Sequence, residues 1–198
     1  MTQRGAGGKP CLILTCEHAR NRVPRELRVL FIEKSHVLET HRGYDLGALS
    51  LAETLANTFN APLLASGYTR LVCDLNRSLG NPSLYSEFTR HLPQTDRDRI
   101  IQTYYIPHRT TVETTILKCV RGNQRVVHIG VHTFTPNLNG QHRNADIGLL
   151  YDPQRLREKK LCLRWQHVLA QMDSTLRVRR NYTYRGESAG LPRNFRKL

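Results

Sequence analysis

Cys11-Leu-Ile-Leu-Thr-Cys16 is an apolar run too short for a buried helix, and the segment after it, Glu17-His-Ala-Arg-Asn-Arg-Val-Pro24, is polar. A run of this length with such a boundary reads as a strand covered on both faces. Arg125-Val-Val-His-Ile-Gly-Val-His132 is a second and clearer one. Between them, residues 45–59 have helical period, with Ala48, Leu51, Ala52, Leu55 and Phe59 on one face and Asp45 in the first turn. Residues 61–65 and 70–74 read as two more strands, with Gly67 turning between them. Strands that alternate with helices predict an α/β protein, a three-layer sandwich around a central mixed, mostly parallel sheet.

The rest of the chain fits that plan. Residues 1–10 read as a flexible lead-in to a single domain spanning 1–198. Residues 79–95, rich in Gly, Pro, Asn and Ser, read as an excursion loop. A helix is expected from Thr95, with Asp98 three residues on in a capping-box-like pattern, toward Val120, kinked by Pro107. Residues 146–151 read as a strand. A helix to about Ser174 is then expected to open at Asp152-Pro153, with Pro153 in its first turn. A last strand follows at 176–179.

Charge narrows the partners. Thirty Lys and Arg against sixteen Asp and Glu give +14, which attracts anions and can raise nucleic-acid affinity without sequence specificity. No recognised nucleic-acid motif accompanies it. A basic surface with arginines that hold a small acidic ligand is therefore the preferred reading, with nucleic acid as the alternative partner. No apolar run is long enough to span a bilayer and the N-terminus lacks a signal-peptide core, so a cytoplasmic protein is expected. The five cysteines, odd in number and several within apolar runs, are expected to be buried free thiols. The absence of a CxxC pair argues against a cysteine zinc knuckle.

His18 and His132 each follow a strand, at the sheet edge where open α/β sheets place ligands. Asp45 begins a helix that could approach that edge. Two histidines and a carboxylate are a donor set of catalytic zinc. The competing readings are plain: a loop histidine bonded to backbone, and Asp45 as an N-cap. Glu17 rivals Asp45 as a ligand, although neighbours on an extended chain point apart. His41, Asp74 and His108 are further competitors. Arg70, Asn76 and Arg77 form a second constellation suited to an acidic group, since an arginine fork grips a carboxylate and Asn adds a donor. Here Asp74 could instead tie down Arg70 or Arg77. Arg143, after a glycine-containing loop, is a further substrate-binding candidate.

Six segments in order resemble the N-formylglutamate amidohydrolase family. They are Thr-Cys-Glu-His-Ala-Arg-Asn-Arg-Val-Pro (15–24), His-Arg-Gly-Tyr-Asp-Leu-Gly-Ala (41–48), Thr-Arg-Leu-Val-Cys-Asp-Leu-Asn-Arg (69–77), Ile-Gly-Val-His-Thr-Phe-Thr-Pro (129–136), Arg-Asn-Ala-Asp-Ile-Gly-Leu-Leu-Tyr-Asp (143–152) and Arg-Asn-Tyr-Thr-Tyr-Arg-Gly (180–186). The resemblance implies a zinc-exopeptidase-like, phosphorylase/hydrolase-like fold and hydrolysis of an N-acyl amide such as N-formyl-L-glutamate. It further implies one zinc ion on His18, Asp45 and His132, Asn76 and Arg77 on the substrate carboxylate, and Arg70 on the developing oxyanion. Aspartoacylases carry a segment similar to Asp74-Leu-Asn-Arg77, which supports an acidic N-acyl amino acid as substrate. Family members continue past the last motif into a strand bearing a glutamate expected to act as general base. This sequence runs from Glu187 through Leu191-Pro-Arg-Asn-Phe-Arg-Lys-Leu198 without one. The resemblance therefore also predicts a shortened member with impaired catalysis, or a non-catalytic binder of an acidic ligand.

Overall fold

The computed structural model describes residues 9–138, 140–187 and 190–196. Of the expected lead-in, only Lys9 and Pro10 fall among them. Contacts gather the chain into two compact units, Met1–Thr133 with Asn194–Leu198, and Phe134–Arg193.

The first unit is built on a three-stranded parallel sheet. Its strands are β1 (Cys11–Cys16), β2 (Leu63–Ala65) and β3 (Val126–Gly130), in the order β2-β1-β3. β1 lies at the centre, with Leu14 opposite Leu63 and opposite Ile129. A central parallel strand has both faces covered, which is why 11–16 carries no polar alternation. A 3-10 helix (Arg25–Phe31) and the single turn α1 (Ser35–Leu38) lead into α2 (Ala48–Phe59). Ala48 and Ala52 of α2 pack on Cys16 and Val131, with Ile129 and Leu63 around them. The helix starts three residues later than its periodicity predicts. Gly47 forms the N-cap at φ 80° and makes no side-chain cap, so Asp45 stands before the helix and is free for other work.

The segment 70–74 is not a strand. Leu71, Val72 and Cys73 are buried as expected, but in a turn and the irregular chain that follows it. Thr69 explains this: its Oγ1 accepts from Leu71 N at 3.3 Å and its carbonyl accepts from Val72 N at 3.1 Å. A local hydroxyl and carbonyl thus satisfy backbone groups that a ladder would have used. These residues join Phe31, Leu84, Ile100 and Tyr105 in a second core beneath the excursion loop.

The long helix is tripartite: α3 (Gln94–Ile100), a π-helical turn (Ile101–Tyr105) and α4 (Ile106–Arg121). Pro107 falls in the first turn of α4. The π turn just before it adjusts the carbonyl ladder that the proline ring would otherwise meet. The expected capping box is absent, because Pro93 is the N-cap and Asp98 takes Gln94 Nε2 at 2.7 Å.

The cysteine expectation needs correction. Cys11 and Cys119 are joined as a disulfide between β1 and α4, with Cα atoms 6.1 Å apart, while Cys16, Cys73 and Cys162 are free and buried. The apolar setting of Cys11 and Cys119 concealed that the packing of α4 on β1 brings them together. Unfolding in denaturant without reductant should expose three titratable thiols per chain; five would show that the bond does not form.

The second unit carries a small antiparallel ribbon, β4 (Asn137–Leu138) with β5 (Gln141–His142), and a parallel pair, β6 (Ile147–Leu149) with β7 (Val178–Arg180). The helix α5 (Leu156–Met172) crosses between β6 and β7 and packs on them through Cys162, Trp165 and Leu169. It begins after Pro153 rather than at it. Gln154 N and Arg155 N both turn back onto Asp152, and Glu158 reaches back to Asp152 N at 2.9 Å. The short α6 (Leu191–Phe195) is the last element of the described chain. Among the described residues, no helix is long and apolar enough to cross a membrane.

Candidate metal centre

β1 and β3 end side by side. Beyond them the chain delivers Glu17 and His18 from one strand and Val131 and His132 from the other, with Val131 N still bonded to Thr15 O at 2.8 Å. The loop before α2 crosses this edge, and Asp45 N donates to His18 O at 2.9 Å. That bond brings the Asp45 side chain over the strand ends. His18 and Asp45 are buried and His132 is partly exposed. One ligating atom from each of the three lies within 4.8 Å of the others. Atoms each about 2 Å from one ion meet that spacing.

Neighbouring bonds indicate which atoms are available. Nε2 of His18 donates to Asp74 Oδ1 at 2.7 Å, while the buried Nδ1 has no hydrogen-bond partner and lies 3.5 Å from Asp45 Oδ2. Nδ1 of His132 lies 2.9 Å from the same Oδ2. The other Asp45 oxygen is in a close ion pair with Arg70 and lies 3.5 Å from His41 Nε2. So Oδ2 and two Nδ1 atoms face one another. An orphaned buried imidazole nitrogen beside a carboxylate and a second imidazole fits a divalent cation, and the site could hold one.

Charge points the same way. Burial alone would raise the Asp45 pKa, but the hydrogen bond from His132, the nearby His18 ring and the charge of Arg70 hold it far below the usual carboxylate range. Burial likewise opposes ionisation of Glu17 and Asp74. It is outweighed by His132 and Thr15 at Glu17, and by His18 and Arg77 at Asp74, so both pKa values are lowered. Three ionised carboxylates thus surround two imidazoles.

The rival ligands have other positions. Glu17 is fully buried and its Oε2 lies 2.9 Å from Nε2 of His132, on the far side of the ring from Asp45. As backbone neighbours, Glu17 and His18 do point to different partners. His41 donates Nε2 to Thr133 O at 2.8 Å. His108, on α4, keeps a buried Nε2 without a hydrogen bond, and burial lowers its pKa.

The arginines separate. Arg70 is tied to Asp45 and to His41 O, the latter at 3.0 Å. Arg77 is half-exposed, with Nε 3.4 Å from Asp74 Oδ2, so Asp74 tethers Arg77 rather than Arg70. Asn76 N bonds to Asp74 Oδ1 at 3.0 Å, which places Asn76 and Arg77 in one turn beside the partner of His18. Arg143 belongs to the second unit, where it bonds Tyr184 OH at 3.2 Å and stacks on Phe134 and Tyr184. Glu187, in the same unit, lies 3.5 Å from Arg185.

The structure adds contacts that the sequence did not mark. Asp74 is the carboxylate on His18, and Thr133 N donates to Asp45 Oδ2 at 3.3 Å. Thr15 Oγ1 lies 3.0 Å from His128 Nε2.

A family model described as N-formylglutamate amidohydrolase matches residues 11–197. The crystal structure of gene product Atu2144 from Agrobacterium tumefaciens superposes with a TM-score of 0.77 at 29% identity, covering 90% of this chain and 71% of that one. No curated protein matches the chain significantly.

Proposed function

The chain belongs to the N-formylglutamate amidohydrolase family, and from that premise we propose that it hydrolyses a small acidic N-acyl amino acid, N-formyl-L-glutamate first among them, at one divalent metal held by His18, Asp45 and His132. The observation that carries this reading is the convergence of Nδ1 of His18, Nδ1 of His132 and Oδ2 of Asp45. Their mixed nitrogen and oxygen chemistry favours zinc. A bound metal supplies polarisation of the amide carbonyl and activation of water.

The chain's own residues supply the rest. Arg70, fixed beside Asp45 and His41, contributes positive charge where the carbonyl oxygen becomes negative. Arg77 and Asn76 receive the substrate carboxylate, Arg77 through the part of its guanidinium not turned to Asp74. Water adds to the acyl carbon, the C–N bond breaks, and for N-formylglutamate the products are formate and glutamate. Purified protein, stripped with a chelator and reloaded with zinc, should release formate from N-formyl-L-glutamate only when reloaded. No turnover by zinc-loaded protein on that compound or on other N-acyl derivatives of aspartate and glutamate would refute the reading.

Arg77→Ala should weaken binding of the acidic substrate by about 1.5–3 kcal/mol, the worth of a hydrogen bond to a charged group. Steady-state kinetics should show this mainly as a raised KM. The melting temperature should change little, because Arg77 is half-exposed and the buried Asp74 keeps its hydrogen bond from His18. A large drop in melting temperature with unchanged KM would make Arg77 structural instead.

A further inference from the structure

Glu17 is unusual among the carboxylates here. Its side chain is wholly removed from solvent, yet it stands behind His132 rather than in front of the Asp45 oxygen that both histidines face. A buried carboxylate is costly unless its surroundings need the charge.

The two histidines show what that need is. In His18, Nδ1 faces Asp45 Oδ2 and Nε2 is held by Asp74. In His132, Nδ1 faces the same Oδ2 and Nε2 lies 2.9 Å from Glu17. The rings follow different strands and their carboxylates come from different segments, but the layout is similar: a carboxylate stands at each Nε2, hydrogen-bonded at His18 and in an ion-pair contact at His132. A carboxylate on the remote nitrogen fixes which nitrogen carries the proton, sets the plane of the ring and makes the facing nitrogen a better donor.

We propose that Glu17 is a positioning residue for the metal centre, the buried carboxylate that holds His132 by Nε2 and so presents Nδ1 to the ion, as Asp74 does for His18. The inference rests on the metal site proposed above and assigns Glu17 a place behind a ligand, not among the ligands. Thr15 and His128 carry a polar contact on the same face of the sheet, beside the strand end that delivers Glu17.

The test measures metal affinity on the full chain, with zinc in competition with a chromophoric chelator and with cobalt(II) as a spectroscopic probe. Glu17→Ala should weaken zinc binding roughly 10–100-fold, the range for loss of such a partner. Glu17→Gln keeps an acceptor for Nε2–H and should recover part of that loss. Its cobalt spectrum should keep the parent's band positions, because the ligands are unchanged. Unchanged affinity in Glu17→Ala, or a Glu17→Gln spectrum showing a different donor set, would overturn the positioning role. If Glu17→Ala does not fold, the near-isosteric Glu17→Gln decides alone: full parental affinity in it would count against the proposal. An unaltered chain that binds neither zinc nor cobalt stoichiometrically would remove the metal site itself, a failure distinct from the others.

Discussion

Asp45→Ala should give a protein with no stoichiometric zinc and no detectable turnover of N-formyl-L-glutamate, and its metal-free form should also be less stable. Oδ2 is the one atom that both Nδ1 atoms face, so its removal leaves two imidazoles with no anionic donor between them. Oδ1 pairs with Arg70, whose side chain is only 22% exposed. Removing one partner of a buried pair leaves the other charge without compensation, and the cost here is about 3 kcal/mol, the low end of the usual range because Arg70 retains some water. Denaturant unfolding of the metal-free protein measures that loss, and metal analysis after reloading measures the other. Asp45→Asn separates them: it keeps the side chain's shape and should fold better than Asp45→Ala while still losing zinc. Full zinc occupancy in Asp45→Asn with parental affinity would remove Asp45 from the ligands.

Much of this arrangement is legible in the sequence because its signals are local. The runs 11–16 and 125–132 are mostly apolar, as strands of a parallel sheet tend to be, and a histidine follows just past the end of each strand. What the sequence hides lies in exceptions to periodicity. Gly47 at positive φ delays α2 and so releases Asp45 from the capping role its position suggests. The Thr69 hydroxyl turns an apolar segment that otherwise reads as a strand. Long-range partners leave no local trace at all. Asp74 reaches His18 across 56 residues of chain, and Cys11 meets Cys119 across 108. In both, the side chains suit several roles, and only the packing of distant segments selects one.

Gly43 shows how tightly the loop carrying Asp45 is set, and Gly43→Ala should disturb it as strongly as any substitution outside the ligands. A Cβ at this position would stand 2.2 Å from Leu38 O and 2.7 Å from Leu38 C. Both are backbone atoms, so no rotamer change relieves the clash. The loop has little slack to move. Gly43 N donates to Thr40 O at 2.9 Å, Gly43 O accepts from Thr69 Oγ1 at 2.7 Å, and two residues on Asp45 N is fixed to His18 O. Displacing Gly43 must therefore strain the Thr69 turn or pull Asp45 off the histidines. The expected cost is about 3 kcal/mol, the upper part of the range for forced overpacking, with a marked loss of zinc affinity in the fraction that folds. Gly67→Ala is the matched control, since a Cβ there meets nothing within 4 Å and should leave both quantities near parental values. If Gly43→Ala instead unfolds at the parental denaturant midpoint and binds zinc as tightly, the loop is soft, and the contact between Asp45 N and His18 O does not set the position of the carboxylate.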